Sequence, residues 1–228
     1  MATTLKIGHR GAQGHQPENT IQSIKHALLL KVDGIEIDVH LSADGELMVI
    51  HDDTIDRTTN GQGFVNQYSQ SELQAFTIDE IHKIPTLSEV LNVIKGKCFV
   101  NIELKGSNTA IKTVELIKTS IKKSEWNYNH FLVSSFELKT LHEVRSLDDK
   151  ILIGILNNND IDQAYAMAKY LEAYSIHPSF HLLTKENTEF MKRKGYKIFP
   201  WTVNDSNDIE KMKAFGVSGI ISDYPDLV

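Results

Sequence analysis

Residues Gly34–His51 read GIEIDVHLSADGELMVIH, and the fold turns on whether they hold a crossover unit or a hairpin. Two strand candidates, Gly34–Val39 and Leu47–His51, are joined by HLSADGE. Parallel neighbours need a connection of a dozen or more residues, usually with a helix, and there is no room for one here. Asp44-Gly45 is a turn signal. Leu47–His51 is therefore predicted to fold back antiparallel on Gly34–Val39. A turn centred between Ala43 and Asp44 sets Glu36 near His51 and Asp38 near Val49.

Working outward, short apolar runs recur at Leu5–His9, Cys98–Leu104, His130–Ser135, Ile151–Leu156, Ala173–His177, Lys197–Val203 and Gly219–Ser222. Between them lie helical patterns, among them PENTIQSIKHALLL, TLSEVLNVI, NTAIKTVELIKTSI and NDIEKMKAF. In the first of these, Pro17 is placed in the opening turn, and Ile21, Ile24 and Leu28 share a face. Such alternation implies an α/β fold with a mainly parallel sheet inside a coat of helices. Setting the hairpin strand aside leaves eight βα repeats, which predicts a closed TIM (β/α)8 barrel. An open doubly wound sheet is the alternative. The polar span from Asp53 to Pro85, with TTNGQG in its middle and a weak helical pattern at SQSELQAF, reads as a small subdomain inserted after the hairpin. The whole of 1–228 is expected to be one domain.

At 228 residues, 41% hydrophobic, the chain can bury a large core, and its formal net charge of -6 argues against broad nucleic-acid binding. Cys98, the one cysteine, lies in an apolar run and reads as a core thiol. The N-terminus lacks the pattern of a signal peptide, and no apolar stretch is long enough to span a bilayer. A cytoplasmic protein without stable membrane association is expected, as a monomer or homodimer.

In GIEIDV, Glu36 and Asp38 share one face of the strand while Ile35, Ile37 and Val39 share the other. Two carboxylates aimed into a barrel need cations. The pair reads equally as a hard-cation site or as acids bridged to Lys or Arg. In NIELK, Asn101, Glu103 and Lys105 share a face, so Glu103 offers a third carboxylate and Lys105 a grip on an anionic oxygen. The alternative is a Glu–Lys pair at a strand end. His51 returns toward the acids along the hairpin, either as a proton donor or acceptor or as a structural histidine.

The segment GHRGAQGHQPENT, Gly8–Thr20, follows the first strand. Its glycines lack the G-x-G start of a dinucleotide turn and read as slack at the barrel rim. His9 and Arg10 end the strand, and Arg10 can grip phosphate in bidentate fashion. Glu18 is placed in the first helical turn, where spacing alone favours interaction with the helix dipole. Trp201 is either a pocket wall or a core aromatic, and Asp223 a helix cap or a turn residue. Two histidines, three carboxylates, an arginine and a lysine at one rim suit metal-assisted cleavage of a phosphodiester.

The segments GHRGAQGHQPENT, GIEIDVHLSADGELMVIHDDTIDRTTNGQG, IPTLSEVL, NIELK, VSSF, PWTVN and GIISDYP occur in this order over nearly the whole chain. In this the chain resembles the bacterial glycerophosphodiester phosphodiesterases. The resemblance implies a TIM barrel with a small insertion, metal binding by Glu36, Asp38 and Glu103, and catalysis by His9 and His51. It implies phosphate contacts from Arg10 and Lys105, a place for Glu18 facing the site, and Trp201 in the pocket wall. One divalent cation is implied, Ca2+ or Mg2+, with Mn2+ a third option. The implied substrates are glycerophosphodiesters, cleaved to an alcohol and glycerol 3-phosphate. Lysophospholipase D action is the alternative, with an apolar groove from residues such as Phe64, Phe136 and Phe180.

Overall fold

The computed structural model describes residues 3–123 and 125–228. Among these residues nine strands form, β1 (Leu5–Gly8), β2 (Gly34–Leu41), β3 (Leu47–Val49), β4 (Phe99–Leu104), β5 (Phe131–Ser135), β6 (Leu152–Asn157), β7 (Ser175–Pro178), β8 (Lys197–Ile198) and β9 (Gly219–Ser222). Eight run parallel in the order β8-β7-β6-β5-β4-β2-β1-β9, and β3 pairs antiparallel with β2. The ring closes through backbone bonds between the last strand with the residue before it and β8 with the stretch after it: Ser218 N–H to Ile198 O, Ile221 N–H to Pro200 O and Val203 N–H to Ile221 O. This is an α/β barrel, not an open sheet.

The helices are α1 (Ile21–Leu29), α2 (Gln70–Leu73), α3 (Leu87–Ile94), α4 (Thr109–Ile121), α5 (Leu138–Leu147), α6 (Ile161–Tyr170), α7 (Lys185–Arg193) and α8 (Ser206–Phe215). Their starts are written locally. Thr86 caps α3 and Glu89 reaches back to the Thr86 N–H, a reciprocal pairing that satisfies two amides left open by the helix. Asp160 and Asp205 cap α6 and α8 in the same spirit. After β9 the chain makes a 3-10 turn, Pro225–Leu227.

Strand alternation sorts the core into two parts. Ile35, Ile37, Val39, Val100, Ile102, Val133, Ile153 and Ile155 face outward and are sealed beneath the helices. The inward face carries Ile7, Leu132, Phe199 and Ile221 toward one end of the lumen. Register then dictates the rest: Glu36 is paired with Asn101, Asp38 with Glu103, Glu103 with Ser134, and Leu156 with His177. Cys98 is buried, and burial followed by the charge of Asp33 pushes its thiol up to about 12. It is a core residue.

The hairpin forms, with a register one position from that expected. Val39 pairs with Val49 and Leu41 with Leu47. The loop is Ser42–Glu46, an odd number of residues, closed by Ser42 N–H on Glu46 O with Gly45 at φ 84. Asp38 O thus accepts from Ile50 N–H. The segment beyond β3 packs on its own apolar group, Ile50, Ile55, Val65, Leu73, Ile78 and Ile84 around Met48.

The first helix begins later than the sequence suggested. Thr20 is its N-cap, accepting from Ser23 N–H, so Pro17 and Glu18 lie in the turn before it. The glycines of the first loop are also not slack. A Cβ on Gly8 would meet the Gly11 carbonyl oxygen at 2.0 Å. Gly11 has φ 89, and a Cβ there would meet Ser23 Oγ at 2.4 Å. That space belongs to Ser23, whose hydroxyl accepts from Ala12 N–H and donates to Arg10 O.

Candidate active site

The C-terminal ends of the barrel strands converge on a pocket of about 180 Å³. His9, Arg10, Glu36, His51, Glu103, Lys105 and Trp201 line it. Asp38 lies beneath, 1% exposed. Glu18 does not border the pocket but holds Arg10, accepting from its Nη1 at 2.7 Å. The helix-dipole reading of Glu18 falls, because the residue precedes the helix and makes two ion pairs instead.

Glu36, Asp38 and Glu103 each present an oxygen within 4.8 Å of the others. Arg10 adopts a left-handed backbone, φ 49, which turns its N–H onto Glu36 Oε2 at 3.0 Å. For a non-glycine residue this conformation costs on the order of 1 kcal/mol and is tolerated where neighbours enforce it. Its Nε lies 3.4 Å from Asp38 Oδ2. Burial works against the Arg10 cation, and the charges of Asp38, Glu18 and Glu36 more than offset it, so its pKa rises. Asn19, also left-handed at φ 57, donates to Asp38 Oδ2 at 2.9 Å.

A cation fits this set on the side chains alone. Glu36 Oε1 is buried and has no hydrogen-bond partner among the described residues. Burial, then repulsion from Asp38 and Glu103, raises the Glu36 carboxyl well above the usual range. Burial and Asp38 push Glu103 up to about 7, although Lys105 opposes this from 3.1 Å. Acids so placed either take up protons or hold a positive ion. All three donors are hard carboxylate oxygens, the chemistry of Ca2+ or Mg2+.

Both histidines are held by carboxylates that the motif spacing did not reveal. His9 Nδ1 is 2.6 Å from Asp223 Oδ1. A carboxylate only accepts, so Nδ1 carries the proton. Gln13 and Asn204 also donate to Asp223, at Oδ1 and Oδ2. The signal for Asp223 was its place directly after β9, on the catalytic face. His51 repeats the arrangement, with Nδ1 2.6 Å from Asp52 Oδ1. Arg57 grips Asp52 through Nε and Nη2 and clasps Glu18 through Nη1 and Nη2. The Asp52 carboxyl is held well below its usual range by Arg57, against some burial, and by His51. Arg57 therefore joins the histidine of the hairpin to the arginine of the first loop through Glu18.

With Nδ1 protonated, His51 Nε2 bears the lone pair, and Lys105 Nζ donates to it at 3.0 Å. Burial lowers the His51 pKa, with Arg10 and Lys105 acting in the same sense against Asp38 and Asp52. His9 Nε2 faces Glu36 Oε2 at 3.9 Å. Trp201 donates from Nε1 to His177 O and meets Phe136 edge to face, which fixes the apolar wall. Phe64, Phe136 and Phe180 do not share a wall. Phe136 borders the pocket, Phe64 a neighbouring cavity, and Phe180 stacks on His181.

A barrel with acids, paired histidines and cations at its C-terminal face belongs to a known class. Residues 9–227 match the model of the glycerophosphoryl diester phosphodiesterase family. The chain is 42% identical to the glycerophosphodiester phosphodiesterase of Caldanaerobacter subterraneus subsp. tengcongensis, over 98% of this chain and 95% of that one. It is 36% identical to the enzyme of the same name from Bacillus altitudinis, over 98% and 96%. Among solved structures it is similar to a phosphodiesterase of Oleispira antarctica in complex with the product sn-glycerol-3-phosphate, with TM-score 0.86, 30% identity, and coverage of 96% and 93%. The chain belongs to the glycerophosphoryl diester phosphodiesterase family, a family of enzymes. Among the described residues, no helix is long and apolar enough to cross a membrane.

Proposed function

We propose that the chain hydrolyses glycerophosphodiesters, such as glycerophosphocholine and glycerophosphoethanolamine, to an alcohol and sn-glycerol 3-phosphate. One divalent cation, Ca2+ or Mg2+ with Mn2+ as a third option, is held by Glu36, Asp38 and Glu103. The observation that carries the reading is the pair of histidine–carboxylate couples, His9–Asp223 and His51–Asp52, bordering a pocket built on an acidic triad. The product bound by the Oleispira antarctica phosphodiesterase supports the same substrate class.

Arg10 and Lys105 orient the phosphoryl group through its nonbridging oxygens. When bound, the cation supplies positive charge against those oxygens and the triad. His51 is neutral with its Nε2 lone pair in the pocket, so it takes the proton of the attacking hydroxyl. His9 acts as the imidazolium, with Nδ1–H on Asp223 and a second proton on Nε2, and gives the Nε2 proton to the departing alkoxide. Asp52 and Asp223 hold the two rings in the tautomer and orientation that this needs. Trp201 and Phe136 present apolar surface that excludes water on one side.

The test is phosphorus NMR of the purified protein with glycerophosphocholine, glycerophosphoethanolamine, glycerophosphoglycerol and lysophosphatidylcholine, each with Ca2+, Mg2+, Mn2+ or EDTA. Release of glycerol 3-phosphate from the deacylated substrates, abolished by EDTA, is expected. Undiminished turnover in EDTA overturns the metal assignment. Cleavage of lysophosphatidylcholine alone overturns the substrate class.

A further inference from the structure

A second cavity, about 470 Å³, lies against the candidate active site, between the inserted segment and the loop after β4. Lys105 borders both spaces. Its ammonium is committed to the active-site side, on Glu103 and His51. Among the described residues, no other lysine or arginine lines the second cavity. Its one carboxylate is Asp53. The neighbouring Asp52 is tied to His51 and Arg57, whereas among the described residues the Asp53 carboxylate has no ion pair and no hydrogen bond. Asp53 stands near enough to His40, on the same wall, for its charge to act on that ring.

Phe64 is the aromatic residue of this cavity, 47% exposed. Backbone pairing holds it beside the acid: Thr54 bridges to Phe64, and Val65 N–H donates to Asp53 O. The remaining wall includes neutral amides, Asn66 and Asn108. An unpaired carboxylate and an aromatic ring, without a free cation nearby, are complementary to an organic ammonium.

Lys105 lines both cavities, so a diester whose phosphoryl group it holds lies beside this space. Amino-alcohols carry nitrogen two carbons from the ester oxygen. Resting on the proposed glycerophosphodiester activity, we propose that the second cavity is the leaving-group subsite. It selects amino-alcohol headgroups, binding their ammonium between Asp53 and Phe64.

The experiment is steady-state kinetics of the wild type, Asp53→Asn and Phe64→Ala on glycerophosphocholine, glycerophosphoethanolamine and the uncharged-headgroup substrate glycerophosphoglycerol. The wild type is expected to favour the two amines in kcat/KM by roughly tenfold, the scale of one well-placed charge contact. Each variant is expected to raise KM for the amines about fivefold and to leave glycerophosphoglycerol unchanged. Both side chains are solvent-facing, so neither change threatens the fold. Equal kcat/KM for all three substrates in the wild type, or equal losses on all three in the variants, overturns the subsite. Absence of turnover on every one of them overturns the subsite together with the underlying activity.

Discussion

Each candidate catalytic histidine has a proton held on Nδ1 by an aspartate, and its Nε2 turned to the pocket. Proton transfer of this kind contributes about 10²–10⁴ in rate. His9→Ala and His51→Ala are each expected to lower kcat by about 10³ while leaving the melting temperature within a few degrees. Near-normal turnover by either variant, measured on glycerophosphocholine, removes that residue from the chemistry. His177 is a different histidine. It is fully buried, and among the described residues its ring bonds only to Ser175 Oγ and its Nδ1 has no partner. Burial alone lowers its pKa to about 3. The unfolded chain takes up its proton near the ordinary value of about 6.5, and the folded chain only near 3. Its contribution is therefore intact above that ordinary value and is lost as pH falls toward 3. The full slope is about 1.4 kcal/mol per pH unit. Urea titrations between neutral pH and the mid-acid range are expected to show this loss, and His177→Gln to flatten it; an unchanged slope in the variant assigns the acid sensitivity elsewhere.

At the scale of elements, the strands GIEIDV and NIELK disclosed their chemistry because strand periodicity is local. Alternation alone assigns Glu36, Asp38 and Glu103 to one side, and the ladder confirms that Asp38 and Glu103 are neighbours. The hairpin was legible from loop length, but its register was not. That depended on Gly45 reaching a left-handed conformation within a five-residue loop. Asp52, Arg57 and Asp223 went unassigned for another reason: their partners are supplied by topology. Arg57 meets Glu18 across 39 positions, and no spacing rule reaches that far. The first loop shows the same limit. Gly11 is required by Ser23 and by its own φ of 89, both invisible until α1 is docked. Gly11→Ala is expected to cost about 3 kcal/mol from backbone strain and steric overlap, read as a lowered urea midpoint. A change below about 0.5 kcal/mol, the range of ordinary surface substitutions, contradicts the tight packing of this loop.

For the molecule as a whole, burying Glu36, Asp38 and Glu103 together sets electrostatic repulsion against the hydrophobic collapse that forms the barrel. A cation bound only by the folded state removes that tension by mass action. At a free concentration of about 100 Kd the gain is about 2.7 kcal/mol. Calcium or magnesium is accordingly expected to raise the melting temperature of the wild type, and to do so far less in Glu36→Gln or Glu103→Gln. The substitutions themselves are expected to stabilise the cation-free protein, because each replaces a buried carboxyl whose ionisation its neighbours oppose. A cation-induced shift that survives in both variants places binding outside the triad.

The barrel closes by bringing its first and last strands together, and His9 finds its aspartate 214 positions away. A ribosome therefore has to pass residue 223 before one of the two candidate catalytic couples exists at all. Nascent chains stalled ahead of Asp223 lack the partner that orients His9, however well their earlier strands have paired. Any chemistry that needs the His9–Asp223 couple waits until Asp223 has been made.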